Sequence, residues 1–124
     1  MRRTASEVLR SLEMRVARLE KQAGSNLDGL LLNAGFTKHE DEGDVTYTRA
    51  DPQYQISVAV GSGNYSNPRE DGASRYTAVE VAFLRNGRFI RPDMADYGQH
   101  RYWEGELYAY LPIKILCAML GIRR

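Results

Sequence analysis

Cysteine is nearly absent: Cys117 stands alone in 124 residues, which excludes an intramolecular disulfide and any multi-cysteine zinc site. Long apolar runs are missing too. No stretch approaches the roughly 18 to 20 residues a membrane span needs, and the N-terminus shows neither the apolar core nor the small-residue cleavage site of a signal peptide. No membrane association is expected, and the cytoplasm is the expected compartment. Charge of one sign is also lacking. Seventeen basic and sixteen acidic residues leave a formal net charge of +1, far from the strongly positive domain typical of a nucleic-acid binder. Lysine occurs only at positions 21, 38 and 114, the other basic residues being arginine, a bias that GC-rich coding alone produces. What is present is ordinary: 43% hydrophobic and 27% charged residues describe a chain able to bury one core of domain size.

Charge is uneven along the chain. Residues 1–24 carry about +3, residues 25–60 about −4 and residues 61–124 about +2. The first of these segments has the clearest local signal. Thr4 and Glu7 have the spacing of a capping box and Gly24 supplies a stop. Between them Leu9, Leu12, Val16 and Leu19 recur at alternating intervals of three and four, the a/d seam of a heptad repeat. In that register Arg15 and Glu20 take the g and following e positions that meet across a parallel dimer. A narrow a/d stripe predicts self-association through Leu9, Leu12, Val16 and Leu19, and hence a homo-oligomer. The competing reading is one amphipathic helix lying on its own domain, because two and a half heptads are short.

The run Arg-Thr-Ala-Ser-Glu-Val-Leu-Arg-Ser-Leu-Glu-Met-Arg-Val-Ala-Arg-Leu-Glu at residues 3–20 resembles the opening segment of small uncharacterised proteins of tailed bacteriophages. The resemblance covers about the first fifth of the chain and carries no catalytic motif. It implies a setting, the cytoplasm of a phage-infected bacterial cell or the virion, and an N-terminal module that different bodies can carry.

Residues 25–124 read as a single α+β domain. Ser25 with Asp28 repeats the cap spacing, and Leu27, Leu30, Leu31 and Ala34 form a helical stripe that ends at Gly35. The period then changes to two. Val45 and Tyr47, then Tyr54, Ile56, Val58 and Val60, predict two half-buried strands joined by the Asp51-Pro52 turn. Residues 76–84 predict a third strand with Val79, Val81 and Phe83 on its core side. Asn86-Gly87 is a strong hairpin signal, and it pairs Phe83 with Ile90, Leu84 with Phe89 and Arg85 with Arg88, the same register that the hydrophobic pattern selects. Residues 105–110 predict a fifth strand. Pro112 then opens a terminal helix of unusually apolar character that stops at Gly121. The expected fold is an N-terminal heptad helix, a short second helix, a four- to five-stranded antiparallel sheet, and an apolar C-terminal helix on one sheet face.

Few constellations suggest chemistry. His39, Glu40, Asp41, Glu42 and Asp44 are the densest group of metal-ligand types, but they read first as a solvated acidic turn, and no metal or other cofactor is expected. His100 with Glu104 or Arg101 could be drawn as a general base and its helper, although the spacing is diagnostic of no known reaction. The expected protein is therefore not an enzyme. The connection at residues 61–75 is long for a compact domain, and Tyr65, Asn67, Arg69 and Arg75 are its candidate partner-binding residues. Arg85, Arg88 and Arg91 flank the Asn-Gly turn and give the second reading, a small nucleic-acid-binding protein. The first reading is a non-enzymatic phage-type accessory protein that self-associates and binds a host or phage protein.

Overall fold

A computed structural model describes residues 26–123. The heptad residues Leu9, Leu12, Val16 and Leu19, and Ser25 with them, lie outside the described residues. The described chain is α+β: a seven-stranded antiparallel sheet with two α-helices. In chain order these are α1 (Asn26–Asn33), β1 (Thr37–Asp41), β2 (Asp44–Ala50), β3 (Gln55–Val60), β4 (Ala78–Arg85), β5 (Arg88–Ile90), a 3-10 turn at Gln99–Tyr102, β6 (Trp103–Glu104), β7 (Leu107–Pro112) and α2 (Ile113–Leu120). The sheet order is β1-β2-β3-β4-β7-β6, and β5 joins the end of β4 beyond β7.

Strand alternation decides what is buried. Tyr47, Ile56, Val58, Val79, Val81, Phe83, Tyr108 and Leu111 face one side through the pairings Tyr47↔Val58, Ile56↔Phe83, Val58↔Val81, Val79↔Leu111 and Val81↔Tyr108. On that side they form one core cluster with Leu27 and Leu31 of α1 and with Ile113, Leu116, Cys117 and Met119 of α2. Thr46, Thr48 and Ser57 share the other side and stay half-exposed, as expected for a sheet with one face on the core. The outward side chains at the centre, Ala59 and Ala82, are small and are covered by their neighbours.

Both helices stop as their glycines dictate. Gly35 (φ 93°) and Gly121 (φ 69°) are left-handed. The amide that follows each glycine reaches back in Schellman fashion, Phe36 to the carbonyl of Leu31 at 2.9 Å and Ile122 to that of Cys117 at 2.8 Å. At the end of α1, Arg49 donates to the carbonyl of Ala34 at 2.8 Å and grips Asp51 with two bonds of 2.8 and 2.9 Å. A cation there suits the negative end of the helix dipole.

The hairpin at Asn86 (φ 53°) and Gly87 (φ 75°) has the expected register: Phe83 opposite Ile90, Leu84 opposite Phe89, Arg85 opposite Arg88. Three details depart from expectation. The sheet gains strands at both edges, because Thr37–Asp41 pairs with β2 as an edge strand, and Trp103–Glu104 pairs with β7. The acidic stretch at 39–44 thus holds a tight turn at Glu42 (φ 51°) and Gly43 (φ 92°), but His39, Glu40 and Asp41 before it are strand rather than turn. Pro112 is the cap before α2 rather than its first residue. The apolar flanks of α2 are covered from within the chain: the Ile115 side chain packs at Gly98, and Met119 is buried.

Candidate interaction site

Residues 61–77 link β3 to β4, and their order comes from two carboxylates and three glycines. The Asp71 carboxylate accepts the amide of Ser62 at 2.8 Å, and that of Asp44 accepts the amide of Gly63 at 3.3 Å. Both carboxylates press on Gly61 (φ 119°), where a Cβ would meet Asp44 Oδ1 at 2.7 Å and Asp71 Oδ1 at 2.9 Å. Gly43 and Gly63 leave comparable space for Asp71 and Asp44. Buried Ser66 ties the loop from inside: its hydroxyl accepts the amide of Gly61 at 3.1 Å and donates to the carbonyl of Pro68 at 2.9 Å. A connection bonded this way holds its side chains in fixed positions.

Tyr65 is clamped on both sides of its backbone. Its amide donates to Glu80 Oε1 at 3.1 Å, and its carbonyl accepts the amide of Tyr110 at 3.1 Å. The two tyrosine rings lie with centroids 5.7 Å apart, tilted by 46°. Arg69 stacks its guanidinium 4.9 Å over the Tyr65 ring while its Nε donates to the carbonyl of Ser62 at 3.2 Å. Both rings reach the surface, Tyr65 37% and Tyr110 42% exposed. The patch therefore presents two aromatic rings and one guanidinium, the residue types enriched where binding energy concentrates at interfaces.

Tyr110 has a left-handed backbone, φ 55°, which costs a non-glycine residue roughly 1–2 kcal/mol. The cause lies in the pairing of β4 with β7. Val79 opposes Leu111 and Val81 opposes Tyr108, so two steps on β4 answer three on β7. The extra residue is a β-bulge. It lets both Tyr108 and Leu111 face the core, each fully buried, and turns Tyr110 outward beside Tyr65.

Of the four loop residues singled out by sequence, the structure brings Tyr65 and Arg69 together. Asn67 serves the fold: its side chain donates to Thr77 Oγ1 at 3.1 Å, and its backbone bridges to Ala78. Arg75 lines a separate cleft with Lys114. Tyr110, the third member of the patch, was missed by sequence. Its only signal is that uninterrupted alternation from Tyr108 would leave Leu111 on the solvent side.

The arginines of the hairpin do not converge. Arg85 donates to the carbonyl of Gln53 at 3.0 Å. Arg91 lies 5.1 Å over the Trp103 ring and donates to His100 Nδ1 at 2.9 Å. A guanidinium can only donate, so Nδ1 is the acceptor of this bond, and Nε2 lies 3.8 Å from Asp96 Oδ1. His100 sits in the 3-10 turn and Glu104 in the strand that follows it. Strand alternation likewise splits the acidic group: His39 and Asp41 point to one face and Glu40 to the other. His39 Nε2 lies 3.0 Å from Thr48 Oγ1, and Glu40 pairs with Lys38 at 3.2 Å. Among the described residues no group of three or more His, Cys, Asp or Glu side chains is disposed to hold a metal ion. No helix among them is long and apolar enough to cross a membrane. No family model matches the chain, nor does any curated protein or solved structure.

Proposed function

We propose that the protein is a non-enzymatic, phage-type interaction protein that binds a host or phage protein through the Tyr65, Arg69 and Tyr110 patch. The heptad at Leu9, Leu12, Val16 and Leu19 would present this surface in more than one copy. The observation that carries the reading is Tyr110: an exposed aromatic ring on a left-handed backbone that glycine would adopt more easily. Strain kept at a solvent-facing side chain points to use of that side chain. The clamped Tyr65 backbone adds preorganisation, which reduces the entropy lost on binding. Multiple copies would add avidity without new contacts. Nucleic-acid binding is the weaker reading, because Arg85 and Arg91 are engaged within the fold.

The test is affinity capture from phage-infected and uninfected bacterial lysates with the native chain and with Tyr65→Ala/Arg69→Ala as baits, read by quantitative mass spectrometry. A protein retained by the native bait and lost with the variant, at equal circular dichroism, supports the proposal. Identical capture profiles for the two baits refute it.

A further inference from the structure

A cleft of about 480 Å³ opens between the start of α1, the start of α2 and the end of the 61–77 connection. Its size falls in the range of roughly 300–1,000 Å³ occupied by small-molecule sites. The floor is apolar, made by Leu27 and Leu30 of α1 and Ile113 of α2. Tyr76 forms a wall whose hydroxyl is held outside the cleft, donating to the carbonyl of Glu70 at 2.7 Å and accepting the amide of Ala73 at 3.2 Å. At the rim stand two cations, Arg75 and Lys114, both exposed. The described ion pairs involve Lys38, Arg49 and His100, and neither Arg75 nor Lys114 has a carboxylate partner among the described residues. Lys114 is also poorly placed for the helix it sits on. It occupies the first turn of α2, where there is no acidic residue and no side-chain cap to offset it, and a cation at that end opposes the helix dipole.

An apolar floor under two cations that no carboxylate of the described residues pairs with calls for a ligand of matching polarity. We propose that this cleft binds a small amphiphilic carboxylate, with its alkyl or aryl body on Leu27, Leu30 and Ile113 and its carboxylate between Arg75 and Lys114. The planar guanidinium of Arg75 matches a carboxylate with two parallel bonds, and Lys114 contributes a point charge. The site is independent of the tyrosine patch, and failure of either leaves the other standing.

Octanoate, 1-octanol and octyltrimethylammonium share a tail and differ in head group, so titrating each into the full chain and following amide shifts and heat separates tail from head. Octanoate is expected to bind saturably, about tenfold more tightly than octanol, with shifts centred on Leu27, Leu30, Tyr76 and Lys114. The ammonium compound is expected not to bind. Arg75→Ala and Lys114→Ala alter exposed side chains and leave the fold intact. Each should weaken octanoate severalfold, and the pair should bring it to the level of octanol. Absence of saturable octanoate binding overturns the proposal, as does equal binding of octanol, shifts centred elsewhere, or affinity unchanged in both variants.

Discussion

Tyr65 and Tyr110 lie 45 positions apart in the chain, yet the amide of one donates to the carbonyl of the other at 3.1 Å and their rings stand 5.7 Å apart at the surface. The contact exists because a bulge in β7 turns Tyr110 outward and a bonded loop delivers Tyr65 to meet it.

The bulge gives the first prediction. Tyr110→Gly removes the left-handed strain and also the ring contact with Tyr65. The gain of roughly 1–2 kcal/mol about balances a half-exposed ring pair worth about 0.5–1.5 kcal/mol together with the extra chain entropy that glycine loses on folding. The variant is expected to melt near the native temperature, whereas Tyr110→Val, β-branched at positive φ and without the ring, is expected to melt clearly below it. Thermal unfolding by circular dichroism checks the order.

Alkaline pH probes a second contact. The Tyr47 hydroxyl, on a residue only 4% exposed, donates to Asp28 Oδ1 at 2.8 Å. Burial, and then the bond to Asp28, push its ionisation well above the ordinary tyrosine value. Burial also raises that of Tyr108, against an opposing effect of Arg91. Lys38 is raised in the same direction by its bond to Asp28. A group whose ionisation is raised by folding contributes stability present below its unfolded value, near pH 10 for tyrosine, and lost as pH rises toward the folded value. The urea midpoint is expected to fall steadily above about pH 10. Tyr47→Phe should begin about 1 kcal/mol less stable at neutral pH and fall less steeply above it.

These two cases show how far sequence reaches. Periodicity and turn chemistry expose elements whose side chains are buried, such as the Val79, Val81, Phe83 and Ile90 hairpin, and both helix stops were legible in Gly35 and Gly121. The edge strand Thr37–Asp41 left no such mark, because all five residues are exposed and polar or charged, and backbone pairing with β2 and polar contacts such as Lys38 with Asp28 hold them without apolar burial. The bulge at Tyr110 is hidden for a related reason: it is set by which residues of β7 must face the core, a tertiary demand whose one trace in the sequence is that Leu111 falls out of alternation with Tyr108. Within the candidate patch, Tyr65 and Arg69 could be found as polar aromatic and basic residues in a long loop. Arg75, chosen by the same criterion, belongs to another cleft, and Tyr110 is marked only by the break in alternation before Leu111.

The carboxylate-packed glycines give a third prediction. Gly61→Ala places a Cβ under 3.0 Å from both Asp44 and Asp71 at a left-handed residue and is expected to cost about 2–3 kcal/mol. Gly72→Ala is left-handed too, but its Cβ would meet nothing within 4 Å, so its cost should stay near 1 kcal/mol. Chemical denaturation of both variants reads the difference.

Assembly supplies the fourth. Leu12→Asp/Leu19→Asp puts charges in the proposed seam, and the chain is expected to become a monomer by light scattering across a tenfold concentration range. An unchanged molar mass would remove self-association through Leu9, Leu12, Val16 and Leu19.

The most direct measurement is the dissociation constant of the captured partner for the native chain and for Tyr110→Gly, taken under conditions where both are fully folded. A loss of tenfold or more, about 1.4 kcal/mol, in a variant about as stable as the native chain is the expected result, since a binding role then explains the tyrosine. Equal dissociation constants would contradict a recognition surface built on Tyr65 and Tyr110.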